Sequence, residues 1–405
     1  MSERYPGGLI RKTPPTITPP VDGEGGSAPG IWTLEEVAAN EKAGTWPKPP
    51  LPRELYGWGK NNGGQNGTND IVYRSSPVQV GSLTEWRQIA SGNASSLAID
   101  SSGALYSWGV NTWGQLGLND TVNRSSPVQV GALTNWASIS MGTEATGAIK
   151  TDGSLWMWGV NSLGSLGLND TITRSSPVQV GADTDWAQVC VQRGDNVVAL
   201  KTDGSLWAIG GDPRWTGLSG TFGDNKSSPI QVGALTDWAT LDDSGISGIA
   251  VIKTDGTYWI WGGNNNGDLG QNNTINTSSP VQVGALTNWS FGSKSIAAVI
   301  GITTSGELYT WGNNSNGQLG HNNRISKSSP TQVGALSNWA RATSTQNFIA
   351  AIKTDGTLWT CGANNNGELA QNNIINRSSP VQVGSDTNWD KVSTGIETAL
   401  GITKG

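Results

Sequence analysis

Histidine is almost absent from this chain of 405 residues: His321 is the only one. That scarcity excludes Ser-His-Asp and Cys-His nucleophilic sites everywhere but around this one residue. His321 stands at a loop position where other parts of the chain carry Leu118, Leu168 and Gln271, so it reads as an inert, exposed side chain. Cysteine is as scarce. Cys190 and Cys361 lie far apart in strand-like runs and read as small buried hydrophobes. Structural zinc needs four His or Cys ligands close together, which this composition does not supply. No stretch has the ligand spacing of an EF-hand, and no carboxylate pair breaks the symmetry of the chain as glycoside hydrolysis would require. The expectation is a protein that is not an enzyme, with no catalytic residues, no metal and no cofactor.

Clustered positive charge is also missing. Lys and Arg number 25 against 31 Asp and Glu, for a net charge of −6. Phosphate neutralisation supplies most nucleic-acid affinity, so a nucleic-acid partner is not expected. No window approaches the roughly 18 apolar residues of a spanning helix, which argues against membrane insertion. The start, MSERYPGGLIRK, has no apolar core of a secretory signal.

What the chain has in abundance is repetition. Ser-Ser-Pro-x-Gln-Val-Gly starts at Ser75, Ser125, Ser175, Ser227, Ser278, Ser328 and Ser378. A tryptophan follows each copy: Trp86, Trp136, Trp186, Trp238, Trp289, Trp339 and Trp389. Repeats of this length are supersecondary units that bury a core only by packing on one another. Within one unit, Pro177–Gly181 and Trp186–Cys190 alternate apolar and polar residues. Val197–Lys201 is an apolar run, and Thr202-Asp203-Gly204 is a hairpin turn signal before Ser205–Gly210. Four short strands per unit, repeated radially, specify an all-β, seven-bladed β-propeller over residues 51–405. Its tryptophans should fill the space between blades. The recurring Ala148, Ala199, Ala250, Ala297, Ala351 and Ala399 should mark strands crowded at the axis. Asp152, Asp203, Asp255 and Asp355 sit in Thr-Asp-Gly turns, where Asp bonds nearby backbone.

The last repeat stops at Gly401–Gly405, one strand short, and the missing strand stands at the other end, in Glu54-Leu55-Tyr56-Gly57-Trp58-Gly59. Leu55, Tyr56 and Trp58 are therefore expected to close the ring by completing the blade begun near Ser378. The fourth repeat departs from the pattern. Ile209 replaces a tryptophan, and Gly211–Gly217 replaces an Asn-rich loop. Arg214 and Trp215 in that loop form an interface-type pair and are the candidate partner contact.

The ordered motifs resemble the repeat of the regulator of chromosome condensation family. Examples are Leu105–Gly109 with Gly114–Gly117, and Leu308–Gly312 with Gly317–Gly320. The resemblance covers about residues 51–405 and implies a seven-bladed propeller with four strands per blade. It concerns structural glycines, tryptophans and turns, so it implies binding through loops on one face rather than a particular partner.

Residues 1–50 differ in kind. They form an extended Pro/Gly arm with one short helix over about 34–43. Thr33-Leu34-Glu35-Glu36 reads as a capping box, Trp32 and Val37 as its hydrophobic staple, and Gly44 as its stop. The stretches Tyr5–Gly8, Gly30–Leu34 and Lys42–Pro47 resemble segments of virion structural proteins of tailed phages, marine and cyanophage types especially. That resemblance implies a virion protein made in the host cytoplasm, decorating the head or associated with tail or fibres. Tyr5, Leu9, Ile10, Trp32, Val37 and Trp46 would anchor it to other virion proteins. Two other readings stand beside it. Asn-rich loops such as Asn264–Asn266 and Asn364–Asn366 suit a host-surface protein or glycan, and a bacterial inhibitor or adaptor propeller suits a soluble protein partner.

Overall fold

The computed structural model describes residues 52–405 apart from 193–195, 212–216, 219–224, 242–248 and 296. The expected arm helix and the anchoring residues Tyr5, Leu9, Ile10, Trp32, Val37 and Trp46 lie outside the described residues, as do Arg214 and Trp215. Among the described residues the regular elements are strands, arranged as seven antiparallel four-stranded sheets.

The first blade shows the plan. Its strands are Trp86–Ser91, Ser95–Asp100, Leu105–Gly109 and Arg124–Gln129, hydrogen-bonded in that order. The strand that begins with tryptophan is innermost, because it touches the corresponding strands of its neighbours around the axis. Hydroxyls join several of these strands: Thr343 and Thr394 share a 2.8 Å hydrogen bond, and the Ser91 amide donates to Ser393 Oγ at 3.0 Å. The Ser-Ser-Pro strand is outermost.

This order corrects the expected blade boundary. The Ser-Ser-Pro strand does not begin a blade; it ends one. The strand Arg377–Gln382, which contains Ser378, belongs to the sixth blade with Trp339–Ser344, Phe348–Lys353 and Leu358–Gly362. The closing blade is made of Trp389–Thr394 and Thr398–Thr403 from one end of the described chain and Leu55–Gly59 and Arg74–Gln79 from the other. Ring closure therefore takes two N-terminal strands rather than one. Leu55 pairs with Ile402 and Trp58 with Ala399.

The core lies between blades. One cluster joins Leu97, Leu105 and Val130 of the first blade to Trp136, Ile139 and Trp158 of the second. The third-strand tryptophans Trp58, Trp108, Trp158 and Trp311 are fully buried. Each donates its indole N–H to a loop carbonyl of the preceding blade, at 2.9 Å in all four cases. In the sixth blade, Cys361 replaces the tryptophan, and its Sγ takes over the contact with the Gln318 carbonyl at 3.4 Å. Burial of one such indole is worth several kcal/mol before entropy, at about 25 cal/mol per Å² over roughly 150–250 Å².

The small residues are not at the axis. Ala148, Ala199, Ala351 and Ala399 lie in second strands, one removed from the innermost. Cross-strand pairing explains three of them: Ala148 faces Trp156, Ala199 faces Trp207 and Ala351 faces Trp359. At the same register Gly401 faces Tyr56, and a Cβ there would stand 2.6 Å from the Trp389 ring. Smallness makes room for neighbouring indoles, the third-strand ring across the pair and, at Gly401, the Trp389 ring of the innermost strand.

Candidate functional site

In a four-stranded antiparallel blade, the links between strands one and two and between three and four share an end. The long Asn-rich loops between third and outermost strands therefore all open on one face. Each is organised by a buried asparagine. Asn111, fully buried, accepts from the Leu116 amide and donates to the carbonyl and carboxylate of Asp120. Asn161, Asn264, Asn314 and Asn364 repeat this arrangement in later blades.

Each loop then latches onto the next blade. The Asn119 amide donates to the Ser175 carbonyl at 2.7 Å, and the last latch, from Asn372 to Ser75 at 2.7 Å, crosses the closure. The latching residue has positive φ, 61° at Asn119 and 55° at Asn372. Asparagine tolerates that region better than other side-chain-bearing residues.

Beyond the latch an Asx turn sets the surface. Asp120 Oδ1 accepts from the Val122 amide at 2.9 Å, and Arg124 pairs with the other oxygen at 2.6 Å. Asp70–Arg74 and Asp170–Arg174 are equivalent pairs. In later blades Asn273, Asn323 and Asn373 keep the turn without the charge. The turn points an aliphatic side chain outward each time: Val72, Val122, Ile172, Ile275, Ile325 and Ile375, between 54% and 72% exposed, with Ile71 and Ile374 exposed beside the first and the last. Trp113, 47% exposed, adds to the same face. A weaker set of leucines, Leu83, Leu133, Leu235, Leu286 and Leu336, is exposed on the opposite face. This sixfold recurrence stands in the sequence at a fixed place after each Asn-rich loop, where its polar setting conceals it.

The other candidate residues fall into place around this scaffold. Tyr56 packs edge-on against Trp389 with ring centroids 5.4 Å apart, and its hydroxyl donates to Glu54 at 2.7 Å. Lys60–Glu397 and Arg53–Asp390 ion pairs flank the closing strand. His321 is half-buried rather than exposed, and its Nε2 lies 3.0 Å from Thr310 Oγ1. Burial holds its imidazole below the ordinary value, which favours the neutral ring. Cys190 and Cys361 are buried thiols, and burial pushes the Cys361 thiol up to about 12. Asn264 and Asn364 serve as loop pegs, which leaves only the following asparagines of each triplet facing outward. Among the described residues no group of three or more His, Cys, Asp and Glu side chains is placed to hold a metal.

The same architecture occurs in solved structures. Human WBSCR16 is 16% identical with a TM-score of 0.77, over 88% of this chain and 100% of that one. Yeast RCC1 (Prp20), seen bound to Kap60, is 15% identical with a TM-score of 0.77, over 87% of this chain and 89% of its own. Prp20p from Saccharomyces cerevisiae, described with its binding properties to Gsp1p and histones, is 15% identical with a TM-score of 0.75, over 87% and 92%. At this identity the likeness is one of fold. No curated protein sequence is significantly similar to the chain. The profile of the regulator of chromosome condensation (RCC1) repeat matches residues 54–99, 102–149, 152–194, 255–299, 305–352 and 355–400. It passes over 195–254, which contains the divergent fourth repeat with Ile209. With most of its length matched and every blade in place, the chain belongs to the regulator of chromosome condensation (RCC1) repeat family.

Proposed function

We propose that this propeller is a non-enzymatic protein-binding scaffold whose loop-bearing face makes the contact. The observation that carries the reading is the ring of Val72, Val122, Ile172, Ile275, Ile325 and Ile375, each solvent-facing on a loop fixed by buried hydrogen bonds. Single exposed aliphatics are ordinary; a repeated set on one face, rimmed by polar loops, is the pattern of an interaction surface. The solved structures of the same fold are described with protein partners, namely Kap60, Gsp1p and histones. Capture of partners by the full chain tests the reading. A partner held by the wild-type chain should be released by Ile172→Asp together with Ile325→Asp, with folding intact. A partner retained by that variant contradicts it.

A finer reading rests on the sequence of residues 1–50 alone. Their resemblance to tailed-phage virion segments supports a chain anchored in a particle by this arm, with the propeller presented outward. Deleting residues 1–50 should abolish incorporation and leave the propeller folded. Incorporation of the shortened chain contradicts the anchoring role.

A further inference from the structure

A groove of about 460 Å³ lies between the first and second blades. Leu118, Val128 and Leu133 line it from the first blade and the link that leaves it, and Trp136, Trp156 and Pro177 from the second. Sites for small organic ligands run to roughly 300–1,000 Å³ and are mostly apolar with a few placed polar groups, and this groove fits both descriptions. Two cations stand in its wall. Arg124 is paired with Asp120 at 2.6 Å. Lys150, at the end of the second blade's second strand, is only 6% exposed.

The neighbouring blades show what Lys150 lacks. Lys201 and Lys253 hold its position in the third and fourth blades, and all three ammonium groups lie over two tryptophan rings. Lys201 also pairs with Asp183 at 2.7 Å and Asp185 at 3.1 Å, and Lys253 with Asp237 at 3.2 Å. Counted back from the innermost tryptophan, Leu133 and Asn135 stand where Asp183 and Asp185 stand. Lys150 therefore keeps the rings and loses the carboxylates. Its Nζ is 3.4 Å from the Trp156 centroid and 5.0 Å from that of Trp136, and it makes no ion pair among the described residues. Burial draws it below the ordinary lysine range, with Asp152 opposing only in part. At Lys201 burial acts the same way, yet the two aspartates leave it raised. An indole face attracts a cation but offers no acceptor, so the buried ammonium gains from an anion brought to it. Lys353 in the sixth blade also lies over two rings without an ion pair, but there His321 takes the place of Leu118.

We infer that this groove is a binding site for a small organic acid with an aliphatic body, whose carboxylate pairs with Lys150 while its tail lies along Leu118, Val128, Leu133 and Pro177. The ligand is of a different class from the protein partner of the loop face, and neither reading rests on the other. Octanoate titrated calorimetrically into the full chain is the test, with octylamine and acetate as comparison ligands. The wild-type chain should bind octanoate in preference to both, since octylamine carries the wrong charge and acetate has no tail. Lys150→Met keeps the stem and removes the charge, and should weaken binding by about tenfold or more. Leu133→Asp places a carboxylate where the third blade has Asp183, and should weaken binding as much without lowering the melting temperature. Lys353→Met should leave binding unchanged. Melting curves establish that each variant is folded, and Leu133→Asp decides the matter if Lys150→Met is not. No binding of octanoate by the wild-type chain, binding retained by folded Leu133→Asp, or octylamine bound as well as octanoate overturns the site. Any of these results leaves the loop-face reading to its own test with the aspartate variants.

Discussion

Tyr258 and Gly292 fit one another across the boundary between the fourth and fifth blades. A Cβ on Gly292 would stand 2.5 Å from Tyr258 Cζ, and the tyrosine hydroxyl donates to the Ile300 carbonyl at 3.2 Å. Elsewhere the first position is leucine, as at Leu105 and Leu308, and the second is larger than glycine, as at Ile139 and Val189. Two departures from the repeat compensate each other. Gly292→Ala should cost about 1–3 kcal/mol through overpacking. In a Tyr258→Leu background most of that cost should vanish, as a double-mutant cycle on denaturant midpoints would show. Equal costs in both backgrounds contradict the fit.

The closing strand should carry a large share of stability. Trp58 is fully buried, and its indole bridges to the sixth blade through the Glu368 carbonyl at 2.9 Å. Trp58→Ala should cost about 3–5 kcal/mol. Removing everything through Gly59 should lower the melting temperature further, because Thr398–Thr403 becomes an open edge. An unchanged melting temperature after that deletion contradicts closure by these residues.

Acid should destabilise the ring through its turns. The Ser154 hydroxyl and amide hold Asp152 below the ordinary carboxylate range, and Ser205 does the same for Asp203. The amides of Val122 and Ile172, followed by burial in the opposite sense and then the arginines, leave Asp120 and Asp170 lowered as well. For such groups the unfolded chain takes up protons first. Their contribution is complete above about pH 4 and is lost as pH falls through their folded values.

Asp268 acts with the opposite sign. Burial raises it to about 6, against the attraction of Lys294. The folded chain keeps a proton that the unfolded chain releases, so this contribution falls as pH rises from about 4 to 6. Asp268→Asn should flatten the dependence of melting temperature on pH across that window. An unaltered slope contradicts the assignment.

The blades were legible because tryptophan, glycine and Ser-Ser-Pro recur with a period that only stacked units explain. Blade boundaries were not, because the covalent repeat and the hydrogen-bonded sheet are out of phase. The link from Gln129 to Trp136 joins two sheets, and nothing in the local composition marks it as different from a link within one. The place of Ala148 and its counterparts was not legible for the same reason: crowding comes from a neighbouring indole, visible only once strands are paired. The ring from Val72 to Ile375 was legible but hidden by its polar setting, since apolar residues within Asn-rich loops do not look like a surface until the loops are seen to share a face.

A protein-binding role for the loop-bearing face makes a quantitative demand on its exposed isoleucines. The most direct measurement is the affinity of a captured protein partner for the wild-type chain and for the chain with Ile172→Asp and Ile325→Asp. Both positions are more than 60% exposed, so the substitutions should leave the melting temperature within a few degrees. Affinity should fall by about tenfold or more, as expected when apolar contacts are replaced by desolvated charge. Unchanged affinity in a folded variant would contradict it.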